Sequence, residues 1–405
     1  MKETPLQSKS PSKFKMHDRR MWIIFLIIFI NLLGFGIILP LLPYYVESLG
    51  AGPMTVGLIM ATYSLFQLLS APILGELSDK YGRRPILLFS IGGTALSFGL
   101  LGIATSLPML FLSRIIDGAS GGNISTAQAY IADITTKEER TQSMGVMMAA
   151  FSLGFILGPA LGGLLSVYGY GVPALVAGAF ALLATILTYF YLPESHKPRR
   201  EVPDSPKKPL IIFNIRDFYD ALTHPAIGLL LTISFLMMFA FSLMQGTFAL
   251  FTQQNLQLTA RANGILFAYL GFVGIVIQLV FLKHILRILS EQKAIIFALL
   301  SMGLSLSLIA YSGSIVALYV AVTFLALGNS IAGPVIMGLT SKLTPDSEQG
   351  SVAGMNQSVG SMARLVGPVA GTFLYSMLGV RSPYLIATLI MVLTALLAFR
   401  KLKLT

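Results

Sequence analysis

Two ionisable side chains sit where a long apolar stretch should not tolerate them. Arg114-Ile-Ile-Asp117-Gly118 lies inside the apolar run Met109–Ile131, and the spacing of three puts the guanidinium and the carboxylate about one turn apart on a helix. Charge in hydrocarbon is costly, so an ionisable residue there is by default a functional one. Asp117 is the only acidic residue that falls deep within such a run. Arg114 favours its charged form and apolar surroundings oppose that form, and a carboxylate so balanced can take up and release a proton. A structural Arg114–Asp117 pair that merely satisfies itself fits the same residues. On one continuous helix, positions 114, 117, 118, 121, 125 and 128 share a face of polar and small residues that ends in Gln128.

The other polar groups inside apolar runs are Asn31, Gln245, Asn329 and Arg364. The three amides cannot carry a proton. They either line a substrate cavity or hydrogen-bond helix to helix. Arg364 falls roughly 18 Å from the inner end of its run at 1.5 Å per residue. That is too deep to snorkel, so it needs a cavity, a backbone carbonyl or an anionic partner, in a substrate or coupling role or in a structural pair. Phe241, Met244, Phe248 and Tyr130 would give an adaptable apolar wall, although helix packing yields the same composition.

Enzymatic and metal chemistry find little support. The chain has no cysteine, and its four histidines lie in loops or at the ends of runs. No HExxH set, phosphate-binding GxxxxGK[ST] loop or nucleophile–base pair occurs, so neither a cofactor nor a metal is expected.

The elements that must position these residues are membrane helices. Of the 405 residues 55% are hydrophobic and 11% charged, with a mean hydropathy of +0.78. A soluble domain carries about 25% charged residues. Twelve apolar runs are long enough to cross a bilayer, from Met21–Val46 to Tyr384–Phe399. With the N-terminus in the cytoplasm, 24 of the 28 Lys and Arg fall on the cytoplasmic side. The net charge of +11 is therefore a topology signal and not a nucleic-acid footprint. Both termini are expected in the cytoplasm of a multi-pass protein of the cell membrane (inner or plasma).

The Pro-rich, charged stretch 193–223 divides the chain six plus six. The expected order is a cytoplasmic tail (1–20), an N-terminal six-helix bundle (21–192), a cytoplasmic linker (193–223), a C-terminal six-helix bundle (224–400) and a short tail (401–405). The halves repeat. At one register Thr135 aligns with Thr344, Glu139 with Glu348, Ser152 with Ser361, Gly158-Pro159 with Gly367-Pro368, and Gly162 with Gly371. Shared polar positions speak for duplication over a general likeness of Gly-rich membrane helices.

Two motifs are specific. Gly75-Glu-Leu-Ser-Asp79-Lys-Tyr-Gly82-Arg83-Arg84-Pro85, between the second and third runs, could be a generic basic turn. It resembles the signature loop of the major facilitator superfamily. In that family the aspartate engages the start of the eleventh span, which would make Gly75, Asp79, Gly82, Arg83 and Arg84 a conformational latch. Gly154-Phe-Ile-Leu-Gly158-Pro159-Ala-Leu-Gly162-Gly163, in the fifth run, puts small residues at close helix contacts. It is similar to the motif of the family's antiporter branch, which implies a hinge and an ion-tight seal. Proton-coupled exporters of the family carry R-x-x-q/d-G where Arg114–Gly118 stands, with the arginine assigned to proton coupling. The first run, with Asn31, Gly34, Gly36, Pro40 and Pro43, looks like that of tetracycline and quinolone exporters. There Asn31 replaces an aspartate, and Gln245 and Asn329 replace acids.

The resemblance covers residues 21–399 and implies an all-α integral membrane fold of twelve transmembrane helices in two pseudo-symmetric six-helix bundles. It implies proton-coupled efflux of lipophilic or amphipathic molecules by a monomer, with substrate held between spans 1, 4, 7 and 10. Proton-coupled sugar or metabolite transport, and a transport-inactive sensor, are the alternatives.

Overall fold

The computed structural model describes residues 19–195, 225–344 and 349–402, and all regular structure among them is helical. The stretch expected as the linker, 193–223, lies almost wholly outside the described residues.

The first half comprises α1 (Arg19–Ser48), α2 (Pro53–Tyr81), α3 (Arg83–Gly102), α4 (Leu107–Ala119), α5 (Asn123–Ile134), α6 (Lys137–Leu165) and α7 (Val172–Tyr191). The second comprises α8 (Pro225–Leu256), α9 (Ala260–Val276), α10 (Leu282–Ile288), α11 (Glu291–Ala310), α12 (Ile315–Leu343), α13 (Gln349–Leu378) and α14 (Ser382–Lys401). The short helices α4 and α5, separated only by residues 120–122, make one crossing. So do α9 and α10, joined by a π-helical turn over Ile277–Phe281. The result is about twelve crossings. Leu96, Phe190, Leu279 and Phe399 are each more than half exposed, as expected where lipid tails are the solvent.

Local sequence sets the helix starts. Pro53, Pro108, Pro173 and Pro383 occupy first-turn positions, where the missing N–H costs nothing. Thr136 and Glu139 form a capping box on α6, each side chain accepting from the other's backbone N–H at 3.3 Å. The repeated Glu139 is thus a helix-start residue. Its counterpart Glu348 lies outside the described residues.

The duplication is visible in packing. In the first half α1 packs on α6 and α7, and α3 packs on α7 and α4. In the second half α8 packs on α13 and α14, and α11 packs on α14 and α12. Gly158 lies against the Leu33 carbonyl and Gly162 against that of Ile37, so close that an added Cβ would come within 2.5 and 2.8 Å. Gly367 against Ser242 and Gly371 against the Leu243 carbonyl repeat this between α13 and α8. Gly169 and Gly379, which follow the aligned helices, both adopt positive φ, +122° and +96°.

The crossing that contains Asp117 is not one continuous helix. It breaks over Ser120–Gly122, where Gly118, Gly121 and Gly122 press against Tyr63, Gln67 and Leu74 of α2. The freed backbone groups find new partners. Gly121 N donates to Gly118 O at 2.9 Å, and Ser70 Oγ donates to the same carbonyl at 2.7 Å.

Candidate functional site

A cavity lies between the halves. Its wall comes from α1 (Phe35, Ile38, Leu39, Leu42), α2 (Met60, Tyr63, Ser64), α4 (Arg114), α8 (Ser242, Gln245) and α13 (Arg364, Pro368). The expected wall of spans 1, 4, 7 and 10 therefore needs correction, since spans 2 and 11 contribute and the tenth does not. The physical reason is glycine. At Gly57 a Cβ would meet the Pro368 carbonyl at 2.8 Å and Val369 Cα at 3.1 Å, so α2 and α13 run almost in backbone contact and close that end.

The predicted site residues divide accordingly. Gln245 and Arg364 line the cavity. Asn31 lies on the stripe that continues through Phe35, Ile38 and Leu42, one turn nearer the chain ends, and is half-buried. Gln128 and Asn329 are exposed and lie outside the wall. Gln128 lies beyond the break at residues 120–122, which interrupts the single helical face the spacing implied. Met244 and Phe248 are packed inside the second half, and Tyr130 is buried with its hydroxyl on Pro193 O at 2.8 Å. Phe241 packs partly buried against the same core. None of these four is in the wall.

Asp117 and Arg114 are 6% and 3% exposed, and Arg114 Nη1 lies 3.0 Å from Asp117 Oδ2. Asp117 does not point into lipid. Arg114 Nη2 also donates to Ser97 Oγ at 3.2 Å, and its guanidinium stands 5.4 Å from the Phe98 ring centre. Arg114 reaches the cavity wall and Asp117 stands behind it. Tyr63 lies within electrostatic reach of Arg114, Asp117 and Arg364, and accepts from Gln67 Nε2 at 2.9 Å. Sequence reasoning missed Tyr63. Its signal was the polar stripe Tyr63, Gln67, Ser70 at i, i+4, i+7 in an apolar run.

The halves are fastened at the face opposite the chain ends. Asn263 Nδ2 donates to Tyr44 Oη, which donates to Leu258 O at 2.7 Å, and Gln253 Nε2 donates to Glu47 Oε2 at 2.6 Å. Beneath these bonds are two equivalent seams. Gly264 of α9 sits on the Pro159 carbonyl beside Gly163, as Gly57 of α2 sits on the Pro368 carbonyl beside Thr372. Of the fifth-run motif, Gly154, Gly158 and Gly162 face α1, and Gly163 faces α9 across the interface.

The Gly75–Arg84 segment is mostly helix, a further correction to its reading as a loop. α2 runs to Tyr81 and α3 begins at Arg83, so only Gly82 turns, at φ +105°. Gly75 has open space beside its Cα and serves no close approach here. Arg83 is buried, binding Asp79, Ser78 Oγ at 2.6 Å and Asp133 at 3.1 Å. Glu194 accepts from the backbone N–H of Arg83 at 2.9 Å and of Arg84 at 3.1 Å, and Arg84 donates to Tyr189 O. Asp79 is thus engaged within its own half.

About twelve crossings in two equivalent halves, with a cavity lined by both, describe a transporter architecture, and the sequence profile of the Major Facilitator Superfamily matches residues 24–294 and 281–405. The chain belongs to the major facilitator superfamily. Multidrug resistance protein 2 of Bacillus subtilis (strain 168) is 30% identical over 370 residues, 90% of each chain. Tetracycline resistance protein, class C, of Escherichia coli is 29% identical over 351 residues, 86% of this chain and 87% of that one. The crystal structure of the human organic anion transporter MFSD10 (TETRAN) superposes with a TM-score of 0.70 at 26% identity, over 94% of this chain and 99% of that one. A POT family transporter in complex with 5-aminolevulinic acid shares the fold at a TM-score of 0.80 and 14% identity, over 96% and 97%. This superfamily member is accordingly a multi-pass, lipid-embedded secondary transporter of small molecules.

Proposed function

We propose that this transporter is a proton-coupled antiporter that exports lipophilic or amphipathic small molecules by alternating access. The observation that carries the reading is the buried Arg114–Asp117 pair whose arginine forms part of the cavity wall. When Asp117 is charged it holds Arg114. A proton on Asp117 cancels that attraction and frees the guanidinium, so protonation changes the charge that the cavity wall presents to substrate. Binding of either then shifts the balance between two states of the halves. The relatives named for multidrug and tetracycline resistance support an export role.

The charge distribution supports a cytoplasmic location for both chain ends. The seams at Tyr44, Gly57 and Gly264 then seal the extracellular side. Gly154, Gly158, Pro159, Gly162 and Gly163 act as the hinge on which α6 rocks against α1. Gly75, Asp79, Gly82, Arg83 and Arg84 act as the latch of the cytoplasmic side, with Asp79 free to leave Arg83 and cross to the other half when that side closes. The unit is a monomer, since one chain encloses the whole cavity.

Asp117→Asn tests the coupling. In proteoliposomes with an imposed pH gradient, gradient-driven accumulation should be lost, while substrate binding stays measurable. Accumulation at the parent rate would refute the proposal.

A further inference from the structure

Two charged side chains reach the cavity wall, and both are arginines. Arg114 is matched by Asp117 at 3.0 Å. Arg364 is not matched. Among the described residues no carboxylate comes within ion-pair distance of it, and its Nη2 donates to a neutral acceptor, Ser361 Oγ, at 3.1 Å. It stands at the midpoint of α13, roughly 20 Å from either end at 1.5 Å per residue, too far to reach water beyond the membrane. The rest of the wall is neutral. Phe35, Ile38, Leu42 and Met60 are apolar, and Gln245 and Tyr63 are uncharged hydrogen-bonding groups.

We infer that the cavity selects amphipathic organic anions, with a carboxylate or sulfonate on Arg364 and an apolar body against Phe35, Ile38, Leu42 and Met60. The inference rests on the exporter reading above and narrows its substrate class. The planar fork of arginine matches a two-oxygen anion, and such charge-assisted pairs are the strong ones in a site shielded from water. A lipophilic cation meets the opposite situation, because the charges on the wall are guanidinium groups and the one nearby carboxylate is already held by Arg114. The charge balance has a consequence for energetics. One outgoing monoanion exchanged for one incoming proton moves two positive equivalents inward. An inside-negative potential therefore drives that exchange twice as strongly as the exchange of a neutral molecule for a proton.

The test is equilibrium binding to the full chain in phosphatidylcholine nanodiscs, with no pH gradient. The probes are three aromatic scaffolds (naphthalene, biphenyl, indole), each as carboxylate, carboxamide and amine. The carboxylate of at least one scaffold should bind ~10-fold or more tightly than its amide and amine. Arg364→Gln should erase that preference with little change for the amide, and Arg364→Lys should keep most of it. Retained thermal stability of both variants separates loss of the site from loss of the fold. No carboxylate preference in any scaffold, including no binding at all, overturns the inference, as does a preference that survives Arg364→Gln. Failure of proton coupling in vesicles beside an intact carboxylate preference would condemn the antiport reading and spare the substrate class, and the reverse pattern would do the opposite.

Discussion

Gly264→Ala should unfasten the seam proposed to seal the extracellular side. The new Cβ would fall onto the Pro159 carbonyl, 2.7 Å from Gly163 Cα and 2.9 Å from Gly163 N. Ordinary contacts lie at about 3.5–4.0 Å. All three obstacles are backbone, which cannot rotate aside as a side chain can, so α6 and α9 must part by roughly 1 Å to restore ordinary contact. Overpacking of this kind costs ~1–3 kcal/mol. The penalty falls only on the state in which the seam is closed, so the population of the outward-open state should rise by about 5- to 150-fold. The native chain has no cysteine, so a single Ser64→Cys in the cavity wall reports accessibility without background. A membrane-impermeant maleimide added from the extracellular side should label it faster in the Gly264→Ala variant. Gly57→Ala, whose Cβ would meet Pro368 O at 2.8 Å, should act in the same direction. Gly338→Ala is the control, because nothing lies within 4 Å of its Cβ. Alanine is a better helix former than glycine, so weakened helices cannot account for an increase. Equal labelling in the Gly264 and Gly338 variants would refute the seam.

Arg114→Leu alone should destabilise the protein by ~3–5 kcal/mol, because it strands the Asp117 carboxylate in the interior. The double variant Arg114→Leu/Asp117→Leu should recover most of that loss in the thermal unfolding midpoint; a double variant no more stable than the single would show that the two charges do not neutralise each other. Tyr44→Phe removes the hydroxyl that binds both Asn263 and Leu258 O and should weaken the seal by ~1–2 kcal/mol. It should raise extracellular labelling of Ser64→Cys less than Gly264→Ala does, and no rise at all would remove Tyr44 from the seal.

The helices and the duplication were legible because each rests on a period or a spacing. Apolar runs of bilayer length give crossings, and the aligned Gly158-Pro159 and Gly367-Pro368 give two packed pairs of the same geometry. Arg364 and Gln245 stood out as polar groups deep in membrane runs, with cavity lining one of two readings for each, and both line the pocket. What stayed hidden depends on contacts between distant segments. Three glycines after Asp117 read as a smooth small face along one helix, whereas against α2 the helix breaks before Gln128. Asn329 resembles Gln245 in every local respect, and only the approach of α2 to α13 decides that span 11 closes the cavity in place of span 10. Met244 and Phe248 illustrate the same limit, since an apolar side chain on a central helix can face its own half as readily as the cavity.

Mechanics and chemistry are distributed differently over the two halves. The seams, the glycine strips and the positive-φ turns occur twice, as rocking about a pseudo-twofold axis requires of its bearings. The charges do not. At the register that aligns Gly158 with Gly367, Arg114 and Asp117 fall on Thr323, bonded to the Tyr269 hydroxyl at 2.9 Å, and on the buried Ala326. Arg364 falls on Phe155, with no counterpart in the first half. A symmetric charge set would place like groups on both sides of the cavity and give proton and substrate the same site twice. Confining the Arg–Asp pair to one half and the lone arginine to the other would, on the proposed function, separate the proton site from the anion site. Both still border one cavity, with Tyr63 within electrostatic reach of each. The two ligands can then influence each other through the wall they share, and coupling needs no relay beyond it.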